Sequence, residues 1–135
     1  MNVNQIMSTG VVTVSLDDKL LRVKELFDEH QFHHLLVIDD EQLCGVVSDR
    51  DLLKALSPNL GTLAETAKDR ATLDKKVHQI MTRQPIVLLE GSSIDEAVQL
   101  FSKHRISCLP VVDQANKPLG IVTWRDLLKV WRRHP

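Results

Sequence analysis

The segment GVVSDRDLLK at residues 45–54 returns as GIVTWRDLLK at residues 120–129. Seven of the ten positions are identical, and Val46 against Ile121 and Ser48 against Thr123 are conservative exchanges. Working outward, the correspondence continues. VNQIM at 3–7 meets VHQIM at 77–81, Leu26-Phe27 meets Leu100-Phe101, and His30 meets His104. Leu35–Asp39 meets Leu109–Asp113. The offset is 74 up to Asp113 and 75 beyond it, so the second copy gains one residue in the turn that follows. The 135-residue chain is a duplicated unit of about 55 residues, a length that marks an internal structural repeat. The expected organisation is a first unit at 1–56, a connector at 57–76 and a second unit at 77–135.

Each unit has the same plan. Val11–Val14 and Ile86–Leu89 are short and apolar, and read as strands. A helix follows. Its apolar positions are Leu20, Val23, Leu26 and Phe27 in one copy, and Ile94, Ala97, Val98, Leu100 and Phe101 in the other. Ser93 with Glu96 is a capping-box signature. Next come an apolar strand (Leu35–Ile38; Leu109–Val112), a polar turn (Asp39–Gln42; Asp113–Lys117) and a strand opening at Gly45 or Gly120. Two strands joined by so short a turn are antiparallel. A last helix opens at Ser48 or Thr123 and runs through the Leu-Leu pairs, and Leu52-Leu53 are expected to enter the core. The order is β-α-β-β-α, twice. The connector reads as a loop and then a short helix leading to Val77–Met81.

Composition narrows the function. Formal net charge is −1 and aromatic residues make up 4% of the chain, so neither a basic surface nor a base-stacking platform for nucleic acid is expected. No apolar run approaches a membrane span of roughly 18 residues. The segment MNVNQIMSTG lacks the features of a signal peptide. Cys44 and Cys108 form no disulfide framework or cysteine-rich metal site, and a reducing cytoplasm is the expected setting. The phosphate-loop, zinc-protease, nucleophile-elbow and Cys-x-x-Cys signatures are missing, and no enzyme is expected.

The repeated Gly-h-h-Ser/Thr-x-Arg-Asp, where h is apolar, has two compatible readings. In one, Ser48 or Thr123 caps a helix, with Asp51 or Asp126 completing the box. In the other, the helix start cradles an anion. The hydroxyl reaches a phosphate or sugar oxygen, the carboxylate accepts a ribose diol, and Arg50 or Arg125 neutralises phosphate.

These motifs, with IM-S/T, VVTV, HLLVID and CLPVVD, resemble the cystathionine-β-synthase (CBS) domain. The whole chain is similar to a tandem CBS pair, or Bateman module, of the stand-alone bacterial or archaeal kind near the acetoin-utilisation-type proteins. The resemblance implies an α+β fold. Two units related by a pseudo-twofold axis pack their sheets together with helices outside, leaving two clefts for AMP, ADP, ATP or S-adenosylmethionine. It implies that Asp51 and Asp126 hold ribose, and that Ser48 and Thr123 contact ribose or phosphate. Adenine would lie between Val12 or Ile86 on one side and His33-His34 or Ser107-Cys108 on the other. A homodimer and a regulated protein partner are further expectations.

The copies also differ. Leu36 stands where the other has Pro110, and Asp49 where it has Trp124, an indole that covers the ligand, blocks the cleft or packs on a partner. His30, His33 and His34 have a spacing that zinc can use, but the recurrence of His30 as His104 favours a helix-end role. Trp131-Arg132-Arg133-His134 reads as a solvated helix end, a phosphate contact or a partner contact. The leading expectation is a regulatory adenine-nucleotide sensor. The rival is a ligand-free interaction module.

Overall fold

The computed structural model describes residues 1–133; the expected role of His134 lies outside them. Two β-α-β-β-α repeats are present. The first comprises β1 (Thr13–Ser15), α1 (Leu20–Glu29), β2 (His34–Asp39), β3 (Gln42–Ser48) and α2 (Asp49–Ala55). The connector holds α3 (Ala67–Ala71). β4 (Thr82–Arg83) then joins the first sheet, and the second repeat comprises β5 (Leu88–Leu89), α4 (Ile94–Lys103), β6 (Cys108–Val112), β7 (Pro118–Thr123) and α5 (Trp124–Arg133). One sheet runs β1-β2-β3-β4 and the other β5-β6-β7. The β1–β2 and β5–β6 pairs are parallel, as helical crossovers require, and β6–β7 is antiparallel. The class is α+β.

The residues gather into two compact units. A central unit holds Val12–Asp40 and Cys44–Gln84; a terminal unit holds Met1–Val11, Glu41–Leu43 and Pro85–Pro135. The central core contains Val14, Leu20, Val23, Leu26, Leu35, Val37, Val47 and Leu52, joined by Val77. The terminal core contains Leu88, Ala97, Phe101, Leu109, Val111, Val122 and Leu127, joined by Val3. The matching leaders VNQIM and VHQIM therefore supply Val3 to the core built from the second repeat and Val77 to the core built from the first.

The hairpin turns explain the changing offset. Between β2 and β3 only Asp40 and Glu41 turn the chain, with φ of 50° and 64°. Positive φ at both central residues matches the twist of flanking strands. Between β6 and β7 the turn is longer. Asp113 Oδ1 accepts from the N–H groups of Ala115 and Lys117, both at 2.9 Å, and Asn116 takes φ of 63°.

Several expectations change. Only one leucine of each pair is buried: Leu52 is 5% exposed and Leu53 73%, while Leu127 is 6% exposed and Leu128 60%. Adjacent helical positions point about 100° apart, so Leu53 and Leu128 fall outside the face that Leu52 and Leu127 turn to the core. Val98, expected on the core face of α4, is exposed for the same reason. The first strand of each repeat starts later than the apolar run does, at Thr13 and Leu88, which leaves Val12 and Ile86 half-buried just ahead of it. In the connector, Thr66 caps α3 reciprocally with Asp69. The Ser57 hydroxyl, first, and then the Thr66 backbone N–H hold the Asp69 carboxyl below its ordinary range.

Candidate functional site

In the central unit, β3 becomes α2 at Ser48. This residue has an extended backbone (φ −96°, ψ 162°), and its hydroxyl accepts the Asp51 N–H at 3.0 Å. The Asp51 carboxylate accepts the Ser48 N–H at 2.9 Å through Oδ2. The cap reading is therefore realised, and Oδ1 takes no part in it. Asp49 lies beside this box. Its N–H donates to the His33 carbonyl at 3.0 Å, and its carboxylate meets His33 Nδ1 at 2.8 Å. These two bonds clamp the entry of β2 to the start of α2, bringing His33, Ser48, Asp49 and Asp51 together. Burial holds the neighbouring His34 imidazole below its ordinary value, with the Asp49 charge opposing. Val12 accepts the Leu36 N–H on its carbonyl at 3.2 Å. Arg50 is exposed.

The terminal unit repeats the arrangement with different side chains. The Thr123 N–H and hydroxyl both donate to Asp126 Oδ2, at 2.8 Å and 3.2 Å. Cys108 is buried and stands directly opposite Thr123 in the β6–β7 ladder. Ile86 is half-buried against the core, and Arg125 is exposed. The Trp124 indole rests on Phe101 of α4, with ring centroids 4.8 Å apart.

The three histidines part company. His30 ends α1, donates its backbone N–H to Leu26 and stacks on Phe32 at 5.0 Å, whereas His33 turns to Asp49. Among the described residues, no group of three or more His, Cys, Asp or Glu could hold a metal ion. Nor is any helix among them long and apolar enough to cross a membrane.

One part of the site is absent from the sequence expectations. The leaders cross the glycine of each Gly-h-h-Ser/Thr motif. Ser8 exchanges backbone bonds with Ile121 at 2.9 Å and 3.0 Å, and β4 pairs with β3 at Gly45 and Val46. A Cβ on Gly120 would stand 2.7 Å from Met7 Sδ and 2.8 Å from the Ser8 carbonyl. One on Gly45 would stand 2.5 Å from Met81 Sδ and 3.1 Å from the Thr82 carbonyl. The glycines are there because another backbone lies against them. The signal was present in the repeated Gln-Ile-Met-Ser/Thr at 5–8 and 79–82. The His33–Asp49 clamp left no such trace, since neither residue recurs in the second copy.

Residues 3–58 and 77–133 each match the CBS domain model, and the chain belongs to the CBS-domain family. A CBS domain-containing protein of Dictyostelium discoideum is 34% identical over 131 residues, covering 93% of this chain and 88% of that one. Inosine-5'-monophosphate dehydrogenase of Methanocaldococcus jannaschii is 31% identical over 133 residues, but the chain spans only 24% of its length. The CBS domain pair of protein MJ0100, solved with 5'-methylthioadenosine and S-adenosyl-L-methionine, superposes with a TM-score of 0.82 at 26% identity, covering 100% and 98% of the two chains. CBSX2, solved with AMP, gives 0.79 at 29% identity, covering 98% and 96%.

Proposed function

We propose that this protein is a regulatory module that binds adenosine compounds at its two strand-to-helix junctions and signals through conformation or self-association in the cytoplasm. The observation that carries this reading is the doubled junction itself. Ser48 with Asp51, and Thr123 with Asp126, each place a hydroxyl and a carboxylate at a helix start. In relatives at 26% and 29% identity, CBS pairs are solved with 5'-methylthioadenosine, S-adenosylmethionine or AMP. A carboxylate oxygen outside the cap can accept a ribose diol, and helix N–H groups with Arg50 or Arg125 can meet phosphate. Val12 with His34, and Ile86 with Cys108, would flank adenine. The ligand is AMP, ADP, ATP or S-adenosylmethionine. Calorimetry of the wild-type protein with AMP, ATP and S-adenosylmethionine tests the reading; absence of binding to all three at millimolar ligand would sink it.

A second reading, a ligand-free interaction module, draws on Trp124. Its indole is engaged by Phe101 and stays 44% exposed, on a helix face with other uncovered apolar side chains. That reading expects self-association unaffected by any adenosine compound.

A further inference from the structure

The two strand-to-helix junctions carry the same hydroxyl–carboxylate box on opposite backgrounds of charge. The repeat aligns residues 29–34 with 103–108 and 48–51 with 123–126. In the central unit these positions hold Glu29, Asp49 and Asp51 against Arg50, a formal −2 with imidazoles neutral. In the terminal unit they hold Lys103, Arg105 and Arg125 against Asp126, a formal +2. Taken whole, α1 and α4 carry the same net charge of −1, but it lies at opposite ends. The acids of α4, Asp95 and Glu96, stand in its first turn and its last residue is Lys103. Helix α1 ends in Asp28, paired to Lys24 at 2.7 Å, and Glu29. The last turn is the end near the junction, since Phe101 of α4 reaches Trp124 at the start of α5. Lys54 and Lys129 occur in both copies. Arg83 pairs with Gly45, three positions before Ser48, and donates to the His78 carbonyl at 2.9 Å.

Geometry puts the central acids around the flank proposed for adenine. Asp49 Oδ2 meets His33 Nδ1 at 2.8 Å, and the charges of Asp49 and Asp51 both act on His34. Burial holds the His34 imidazole below its ordinary pKa, so it stays neutral and offsets neither carboxylate. In the terminal unit the place of Asp49 belongs to Trp124, whose indole turns to Phe101, and the box holds one carboxylate, Asp126. Charged walls repel a bound group of like sign and attract one of opposite sign. A 5′-phosphate brings negative charge to such a wall, a 5′-thioether brings none, and a sulfonium brings positive charge.

We infer that the two junctions divide adenosine compounds by charge: the terminal one takes a 5′-phosphate, and the central one takes a 5′-thioether or sulfonium. This rests on the proposed adenosine binding and adds the ligand class of each junction. Arg105 and Arg125 give phosphate its charge-assisted donors. Glu29 and Asp49 are the specificity-determining residues that keep phosphate from the central junction, a repulsive element of the kind that discrimination requires.

Calorimetry at pH 8, above the ordinary imidazole range, tests it with two probes, AMP and S-adenosylmethionine. Wild type should bind one equivalent of each, with neither displacing the other. Asp126→Ala should lose AMP alone and Asp51→Ala should lose S-adenosylmethionine alone, with circular dichroism showing that both are folded. Charge variants that leave both boxes intact give a second readout. Glu29→Gln/Asp49→Asn should admit AMP to the central junction, raising its stoichiometry from one to two, and Arg105→Glu should weaken AMP at the terminal junction at least fivefold. Both probes binding both wild-type junctions, the reverse assignment, or charge variants without effect would overturn the division of ligands while leaving adenosine binding standing. So would silence with both probes, and if ATP also fails to bind, the adenosine reading falls with it.

Discussion

The backbone N–H of Leu36 donates to the carbonyl of Val12 at 3.2 Å, whereas Pro110, at the same place in the second repeat, has no N–H to donate. The parallel ladder behind Pro110 is correspondingly shorter, pairing Leu88 and Leu89 where the other repeat pairs Thr13, Val14 and Ser15. One missing donor thus gives two nearly identical repeats different edges beside the residues proposed to flank adenine. Leu36→Pro should destabilise the fold by about 1–3 kcal/mol through the orphaned carbonyl, with lost side-chain packing adding to it. Urea unfolding of Leu36→Pro measures the loss, and a midpoint equal to that of wild type would contradict it.

The crossings at Gly120 and Gly45 predict unequal penalties. Alanine at Gly120 meets a carbonyl at 2.8 Å, which cannot swing aside, whereas at Gly45 the nearest atom is the flexible Met81 sulfur and the carbonyl stands at 3.1 Å. Gly120→Ala should therefore cost more than Gly45→Ala, both within the overpacking range of about 1–3 kcal/mol. Thermal unfolding orders them.

Asp51 and Asp126 each hold a helix cap, and each is proposed to hold a ribose. Alanine at either should cost about 1 kcal/mol of stability, the usual value of a cap. Each should also remove one binding site by calorimetry, and the double variant should bind nothing. Lost stability with unchanged stoichiometry would leave the caps and remove the ribose role.

His34 gives the fold an acid-side slope. Burial lowers its folded pKa from 6.5, so the folded chain resists a proton that the unfolded chain accepts. Its stabilising contribution is complete above 6.5 and is lost as pH falls from there towards the lower folded value. Asp49 opposes the shift, so Asp49→Asn should steepen the loss, and His34→Gln should flatten it. Urea midpoints across this range would show both, and a pH profile unaltered by His34→Gln would refute the assignment.

The leucine pairs give the simplest test of side-chain direction. Leu52→Ala should cost about 2–5 kcal/mol, and Leu53→Ala should stay within about 0.5 kcal/mol of wild type. Comparable losses at both positions would mean that α2 is rotated from the orientation described.

Repeat comparison found the β-α-β-β-α order and both caps, because caps and periodicity are local. Leu53 was misread because two adjacent leucines look equally apolar in sequence and only the helical angle separates them. The crossing of Met7 over Gly120 is a contact between residues more than a hundred positions apart, which a pattern within one segment cannot reveal. The side chains of the His33–Asp49 clamp occur in one copy alone, so comparing the copies could only mark them as a difference.

The exchange of Val3 and Val77 has a consequence for the order of assembly. The core built from the first repeat lacks a member until residue 77 has left the ribosome, and the other core uses a residue made almost at the start. The first repeat taken alone cannot complete its core. A gene cut at the repeat boundary would yield two pieces each missing a wall, whereas a fragment spanning residues 12–84 carries every member of one core. The duplication behaves as an interlock whose closing step comes late.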